Sequence, residues 1–354
     1  MMPLPSCLSP RCWISGLLFI GGLEGATVVQ AAPEPLAALG ADKRAVSVVG
    51  ISSGGYMATQ LAVAFPERFS AVGVLAAGPW GCAEGSLSRA LNTCMTTSGG
   101  EPSLDRLENR RRRYEAAGQV GPRETLSQLR VFLWHGEDDD VVDPDLGDLL
   151  AAQWERWLSG ADQLRVVRRE DTGHGWPVRL DDELPPPRAL GDCQQGGGSY
   201  LLACDDDVAG AMMRFLYPER GRNDEGQGHL SAFDQSDFAV AGLADSGFVF
   251  IPEVCEQVGC QVTVALHGCQ MNEDAIGDAF VRHSGLNDWA ALHQQVVLYP
   301  QAESSMMNPQ GCWDWWGYAE RSSQLAPMHD TREGVQVQAL VAMLERLQAT
   351  PGQD

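Results

Sequence analysis

A serine set between glycines, a run of aspartates after an apolar strand and a histidine set between glycines follow one another along this chain, and together they can perform acyl transfer. The first, Gly50-Ile51-Ser52-Ser53-Gly54, has the G-x-S-x-G spacing that puts a serine on a strained strand-to-helix turn with its hydroxyl clear of a sheet. The flanks fit. Val46-Ser47-Val48-Val49 is a β-branched run suited to a buried parallel strand, and Gly55 to Ala62 reads as a helix. Ser52 is therefore the candidate nucleophile. With 39 glycines in 354 residues the spacing also arises by chance, so the residues that would activate the serine must decide.

A serine hydroxyl is a weak nucleophile at neutral pH. It needs a histidine to take its proton and a carboxylate to fix that histidine's tautomer. Val131-Phe132-Leu133-Trp134 predicts a strand running into His135-Gly136-Glu137-Asp138-Asp139-Asp140-Val141-Val142, an acidic loop at the carboxyl edge of a sheet, where open α/β sheets place their sites. Asp138 and Asp140 read as solvated turn residues. Asp139, three residues past Gly136 and just ahead of Val141-Val142, is the candidate orienting acid, with Asp138 the neighbour hardest to separate from it. Leu164 to Arg169 predicts the next strand, after which His174 stands between Gly173 and Gly175 in a loop expected to be mobile. His174 is the candidate general base; His135 reads as structural, and His229, His283, His293 and His329 as surface or helix residues. Serine, then acid, then histidine is the chain order of α/β-hydrolases.

Acyl transfer also needs donors for the tetrahedral oxyanion, each commonly worth roughly 3 to 4 kcal/mol. The backbone N–H of Ser53 is one candidate. The loop supplying the other normally precedes the nucleophile and often carries His-Gly. Here Val262 to Leu266 followed by His267-Gly268-Cys269-Gln270 has that character but comes after the whole triad. The order implies a circular permutation, which domains tolerate because their termini tend to lie close together at the surface. On that reading Gly247 to Val254 is an early edge strand, Gln295 to Gln301 lies beside the oxyanion strand, and Gly334 to Gln348 is the helix that would otherwise feed the nucleophile strand. The expected fold class is α/β, a circularly permuted α/β-hydrolase.

Four segments together closely resemble the type 2 catalytic domain of poly(3-hydroxybutyrate) depolymerases, over nearly the whole mature chain. They are Gly50-Ile51-Ser52-Ser53-Gly54-Gly55-Tyr56-Met57, Leu266-His267-Gly268-Cys269-Gln270, Val297-Leu298-Tyr299-Pro300-Gln301, and Asn308-Pro309 with Gly311-Cys312-Trp313-Asp314-Trp315-Trp316-Gly317-Tyr318. The resemblance implies Ser52, Asp139 and His174 as the triad and the Ser53 and Cys269 amides as the oxyanion hole. It also implies an aromatic wall for a polymer chain among Trp313, Trp315 and Trp316, without singling one out. Indoles commonly serve as core. Interrupted by Asp314 and bracketed by Gly311 and Gly317, these three follow neither a helical nor a strand stripe, so at least one is expected to face a cleft.

Residues 1–32 carry Arg11, an apolar Trp13 to Gly22 stretch and Val29-Gln30-Ala31-Ala32, which fits a secretory signal cleaved near Ala31 or Ala32 and leaves 33–354 as one catalytic domain. The apolar stretch is too short to span a bilayer, and no other segment could. Ten cysteines fall to eight once Cys7 and Cys12 leave, and an even number in an exported chain favours disulfides. The preferred pairs are Cys82 with Cys94, Cys193 with Cys204, Cys255 with Cys260, and Cys269 with Cys312, the last tying the oxyanion turn to the tryptophan segment. Paired C-x2-C spacings of structural zinc are absent, so no metal is expected. A net charge of -22 argues against nucleic acid and anionic membranes as partners and says nothing about a neutral polyester.

Gly81 to Ser127, polar and arginine-rich, predicts a lid or excursion between strands. Pro185-Pro186-Pro187 and Gly196-Gly197-Gly198 punctuate a loop-rich stretch, and Pro218 to Gly228 predicts the linker across the permutation join. No threonine-rich linker or further module follows the last helix, so amorphous polymer or soluble oligomers are the expected substrates. These residues imply a secreted serine esterase that cleaves short-chain polyhydroxyalkanoate through an acyl-enzyme, with no metal or organic cofactor. The triad sets the reaction and the cleft sets the substrate, so a feruloyl or acetyl esterase of plant polysaccharide is the nearest alternative. A catalytically silent protein holding polymer on its tryptophans is a further one.

Overall fold

Short β-branched runs become strands and the amphipathic stretches between them become helices. The computed structural model describes residues 33–180, 190–218, 226–256, 259–320 and 328–352. The expected signal segment and Pro185-Pro186-Pro187 lie outside the described residues. The strands are β1 (Glu34–Pro35), β2 (Val46–Ile51), β3 (Ala71–Leu75), β4 (Arg130–Gly136), β5 (Leu164–Arg169), β6 (Trp176–Pro177), β7 (Leu201–Leu202), β8 (Gly228–Asp234), β9 (Ser246–Pro252), β10 (Gln261–Leu266) and β11 (Gln295–Tyr299). The helices of eight or more residues are α1 (Ser53–Ala64), α2 (Leu104–Ala116), α3 (Pro144–Trp157), α4 (Val208–Leu216), α5 (Leu286–His293) and α6 (Val335–Gln348).

Nine strands form one sheet in the order β1-β8-β9-β11-β10-β2-β3-β4-β5. From β11 to β5 every pairing is parallel, whereas β9 runs antiparallel to both β11 and β8. Parallel strands need cover on both faces, and β2 meets that demand with all six residues buried. Its alternation sends Val46 and Val48 to one face, with Met57 and Leu61 of α1, Trp154 and Trp157 of α3, and Leu340 and Leu344 of α6. Val49 and Ile51 go to the other, with Met212 and Leu216 of α4 and Leu286 and Ala290 of α5. Each such fully buried aliphatic side chain contributes roughly 1.5 to 3 kcal/mol.

The permutation is visible in the pairing. β10 comes late in the chain yet lies directly beside β2, with Val262 opposite Val46 and Leu266 opposite Gly50. β11 flanks it on the other side, as expected for the strand beside the oxyanion strand. The end of α6 meets the segment that enters β2, through Leu39 N–H to Leu347 O at 3.0 Å, Gly40 N–H to Ala349 O at 2.9 Å and Arg346 Nε to Leu36 O at 2.8 Å. The helix expected to feed the nucleophile strand thus stands where it should, with the chain cut between them.

One expectation changes, and two strands are added to those expected. The strand expected at an early edge, β9, is internal, because all seven residues of β8 pair with it and β1 lies outside β8. β8 escaped notice because its sequence, Gly-His-Leu-Ser-Ala-Phe-Asp, buries only Phe233 fully and carries little apolar alternation. β3 also went unpredicted, a five-residue run broken by Gly73, where a Cβ would meet Met212 Sδ at 2.3 Å. The stretch from Gly81 to Ser127 is an excursion between β3 and β4 that carries α2 and is pinned by a buried Arg110–Asp330 ion pair of 2.9 Å. Among the described residues no helix is long and apolar enough to cross a membrane.

Candidate active site

The turn between β2 and α1 is built by close backbone approach. Ser52 has φ 54° and ψ -122°, a left-handed conformation that costs a non-glycine residue about 1 to 3 kcal/mol and persists only where the surroundings enforce it. They do so through bare glycines. A Cβ on Gly50 would lie 2.3 Å from Gly54 O, and one on Gly54 would lie 2.3 Å from Leu266 O and 2.4 Å from His267 O. Ser52 N–H donates to Leu75 O at 2.9 Å, which anchors the turn to β3. The serine side chain sits at the carboxyl edge of the sheet with 7% of its residue surface exposed.

The candidate acid and the candidate base come from the loops after β4 and β5. Gly136 lets them meet, since a Cβ there would be 2.2 Å from Thr172 O. Asp139 Oδ1 accepts the N–H groups of Val141 at 2.9 Å and Val142 at 2.8 Å, and Oδ2 lies 2.8 Å from His174 Nδ1. Asp138 is exposed, accepting instead from Gln194 Nε2 at 2.7 Å, and Asp140 is exposed as well. Of the three aspartates, geometry therefore brings Asp139 to the histidine. Burial alone would raise its carboxyl pKa, but the charge of His174 and hydrogen bonds from His135 and His174 outweigh that and hold it well below the usual carboxylate range.

His174 is 4% exposed, and its loop is stitched down rather than loose. Gly173 N–H donates to Cys193 O at 2.9 Å, and the Cys193–Cys204 disulfide closes the segment behind it. Gly196, Gly197 and Gly198 take φ values of 71°, 77° and 61°, and a Cβ on Gly196 would sit 3.0 Å from His174 O. The coil they make delivers Tyr200 edge-on to the His174 ring, with centroids 5.9 Å apart, and Tyr200 Oη receives a long hydrogen bond of 3.4 Å from Gln270 Nε2. The sequence gives Tyr200 no role, and Gln270 appears there only as the last residue of the His267-Gly268-Cys269-Gln270 turn; the glycine triplet and that turn were the available signals. His329, expected on the surface or in a helix, is neither; it is 2% exposed in a turn, with Nε2 3.1 Å from Trp315 O.

The second candidate donor sits on the turn after β10. His267 Nε2 accepts from Ala302 N–H at 3.1 Å, so its proton is on Nδ1, 2.7 Å from Gly268 O. Burial pushes this imidazole down to about 4, against the opposing effect of the Gly268 carbonyl. Carbonyl and N–H of a trans peptide point in opposite directions. Holding Gly268 O toward the His267 ring therefore aims Cys269 N–H away from it. Gly268 leaves space for Ser52, since a Cβ there would lie 3.3 Å from Ser52 Cβ. The first candidate donor, Ser53 N–H, opens α1, where helix N-terminal amides lack intrahelical partners.

All four expected disulfides form: Cys82–Cys94, Cys193–Cys204, Cys255–Cys260 and Cys269–Cys312. The last ties the oxyanion turn to the tryptophan segment, and the structure separates the three indoles. Trp313 is 0% exposed; its Nε1 donates to His267 O at 3.0 Å, so it braces the turn from the core and is not a wall for substrate. Trp315 is 6% exposed and stacked on Tyr56 at 4.3 Å. Trp316, half-buried and edge-on to Trp315 at 5.5 Å, keeps accessible surface. Asp314 breaks the stripe by accepting N–H bonds from Gly317, Tyr318 and Ala319.

Residues 10–243 match the alpha/beta hydrolase family, a span that holds Ser52, Asp139 and His174 and ends before β10. The chain is 33% identical over 326 residues to a poly(3-hydroxybutyrate) depolymerase of Delftia acidovorans, covering 90% of this chain and 62% of that protein. It thus spans less than two thirds of that relative's length. It is 29% identical over 348 residues to a polyhydroxybutyrate depolymerase of Talaromyces funiculosus, covering 93% and 96% of the two chains. A solved PHB depolymerase variant complexed with an R3HB trimer matches with a TM-score of 0.79 at 28% identity, over 89% of this chain and 98% of that one.

Proposed function

The chain belongs to the α/β-hydrolase family, and from that premise we propose that it is a secreted serine esterase hydrolysing the ester bonds of poly(3-hydroxybutyrate) or its oligomers. The observation that carries this reading is the 2.8 Å contact of His174 Nδ1 with the buried, ionised Asp139, in a chain whose Ser52 stands on a strained elbow at the carboxyl edge of the same sheet. That contact keeps the proton on Nδ1 and leaves Nε2 basic. Ser52 Oγ attacks the ester carbonyl as its proton passes to His174 Nε2. Negative charge develops on the carbonyl oxygen, where the N–H groups of Ser53 and Cys269 receive it. Collapse expels the alcohol end of the chain, protonated by His174, and leaves a 3-hydroxyacyl ester on Ser52. Water, deprotonated by His174, attacks that ester and regenerates the enzyme.

The substrate is supported by likeness to the depolymerases over nine-tenths of this chain, including one holding a hydroxybutyrate trimer. Trp316 is the indole we assign to polymer contact. Export is supported by four disulfides, which persist in oxidising compartments, and by the signal-like 1–32 segment, whose removal leaves Pro33–Asp354 as the working domain. The test is product analysis of residues 33–354 incubated with amorphous poly(3-hydroxybutyrate), with Ser52→Ala alongside. Monomer or dimer of 3-hydroxybutyrate released by the unmutated chain alone is the expected result. No release with small-ester hydrolysis intact moves the substrate elsewhere, with phenolic-acid release from plant polysaccharide the next assay.

A further inference from the structure

His135, at the end of β4, was read from the sequence as a structural residue, yet the structure puts it against the acid. Its side chain is 3% exposed, and Nε2 lies 2.9 Å from Val142 O and 3.1 Å from Asp139 Oδ2, the oxygen that also meets His174 Nδ1. A backbone carbonyl and an ionised carboxylate only accept hydrogen bonds. Nε2 therefore carries a proton and shares it between them.

The far side of the ring agrees. A Cβ on Gly147 in α3 would lie 2.4 Å from His135 Nδ1 and 2.8 Å from Arg168 Nη1, so the two nitrogens flank one bare glycine. Arg168 Nη2 is engaged by Pro144 O and Asp148, whereas Nη1 is buried without a hydrogen-bond partner. A cationic N–H faces the side of the ring that bears the lone pair when Nε2 is protonated. The charged and titratable groups around His135 are thus Asp139 and His174 toward the site, and Arg168 with Asp148 behind.

We propose that His135 is a positioning residue for Asp139, donating from Nε2 to the same carboxylate oxygen that receives His174 Nδ1–H. The proposal rests on the reading of Asp139 and His174 as acid and base. Oδ1 is held by two backbone N–H groups and Oδ2 by two ring N–H groups, so the carboxylate has no rotational freedom left. The donor from His135 also draws part of the carboxylate's charge away from His174. Without it, Oδ2 faces His174 with its full charge, the protonated form of the base is favoured, and the acid's orientation rests on the two bonds to Oδ1 and on the very histidine it has to hold.

His135→Phe keeps the ring and removes the donor; His135→Gln keeps an N–H near the Nε2 position. Both are compared with the unmutated chain and with Asp139→Asn, by kcat and kcat/KM against pH on p-nitrophenyl butyrate, normalised to sites titrated with an organophosphonate. For His135→Phe, kcat should fall roughly tenfold to a hundredfold, the scale of a lost hydrogen bond to a charged group, and the acidic limb should move to higher pH. His135→Gln should recover most of both. Unmutated kcat and limb in His135→Phe, with Asp139→Asn inactive, overturns the proposal alone. Equal losses in both variants with an unmoved limb overturn it in favour of packing. An active Asp139→Asn overturns the acid assignment and this proposal with it. If His135→Phe does not fold, Gly147→Ala tests the contact from behind, because its methyl must displace the ring; an unmoved limb there overturns the proposal as well.

Discussion

Replacing Asp139 by asparagine exchanges one carboxylate oxygen for an NH2 group, and the hydrogen bonds around it decide which. If the amide oxygen stays at the Oδ1 position, it keeps the N–H bonds of Val141 and Val142, and the NH2 faces His174 Nδ1 and His135 Nε2. If the amide turns over, the NH2 confronts two backbone donors that cannot change, each left unsatisfied at about 1 to 3 kcal/mol. A histidine can move its proton and a peptide cannot, so the first orientation wins. His174 then accepts at Nδ1 and carries its proton on Nε2, where it cannot receive one from Ser52. In a serine triad this tautomer costs roughly ten-thousand-fold in kcat, about 5 kcal/mol of transition-state stabilisation. The assay is kcat on p-nitrophenyl butyrate at pH 8, per site titrated, with circular dichroism to confirm folding. A folded Asp139→Asn enzyme keeping more than a tenth of its turnover would refute the reasoning.

Three further outcomes follow from the same contacts. Because burial lowers folded His267 to about 4 against about 6.5 unfolded, the unfolded chain binds the proton first. Stability should be full above about pH 6.5 and fall by about 1.4 kcal/mol per unit toward pH 4. His267→Gln should flatten that slope in chemical denaturation, and an unchanged slope would sink the assignment. Trp316→Ala should reduce polymer attack more than hydrolysis of p-nitrophenyl butyrate, whereas Trp313→Ala should lower both and destabilise the fold by about 3 to 5 kcal/mol; matched losses on the two substrates for Trp316→Ala would remove it from the polymer path. Joint replacement of Cys269 and Cys312 by serine opens a loop spanning 43 positions and should cost about 4 kcal/mol in urea unfolding. A small-ester kcat that stays at the unmutated value would show that the oxyanion turn does not need the tether.

How far the site could be read depended on whether a residue's role is written in its own segment. Ser52 was legible because the elbow forces local glycines, and Gly50 and Gly54 are bare for backbone reasons that any chain making this turn shares. The permutation was legible because His267-Gly268 is recognisable wherever it falls. Asp138 and Asp139 were hard to separate because both are carboxylates in one loop; what divides them is that Asp139 turns inward to cap Val141 and Val142. Trp313 and Trp316 look alike in the chain, and only the fold of the Asp314 turn buries one and leaves the other accessible. The contact of His135 with Asp139 and the bridge from Gln270 to Tyr200 join side chains whose partners no periodicity reveals. β8 stayed hidden because a weakly apolar strand near a sheet's margin carries little pattern.

The rearranged strand order also governs when, during synthesis, the candidate site can be completed. A ribosome delivers Ser52, Asp139 and His174 first, on β2 to β5, as half a sheet. The edge of β2 at Val46 to Gly50, apolar and destined for burial, has no neighbour until β10 has been made. Such an unpaired apolar edge invites aggregation. A nascent chain that stops short of Leu266 therefore holds Ser52, Asp139 and His174 but neither the His267-Gly268-Cys269 turn nor the strand that shields its core. Helix α6, made after all of these strands, then fastens onto the backbone just ahead of β2 and helps hold that strand in place.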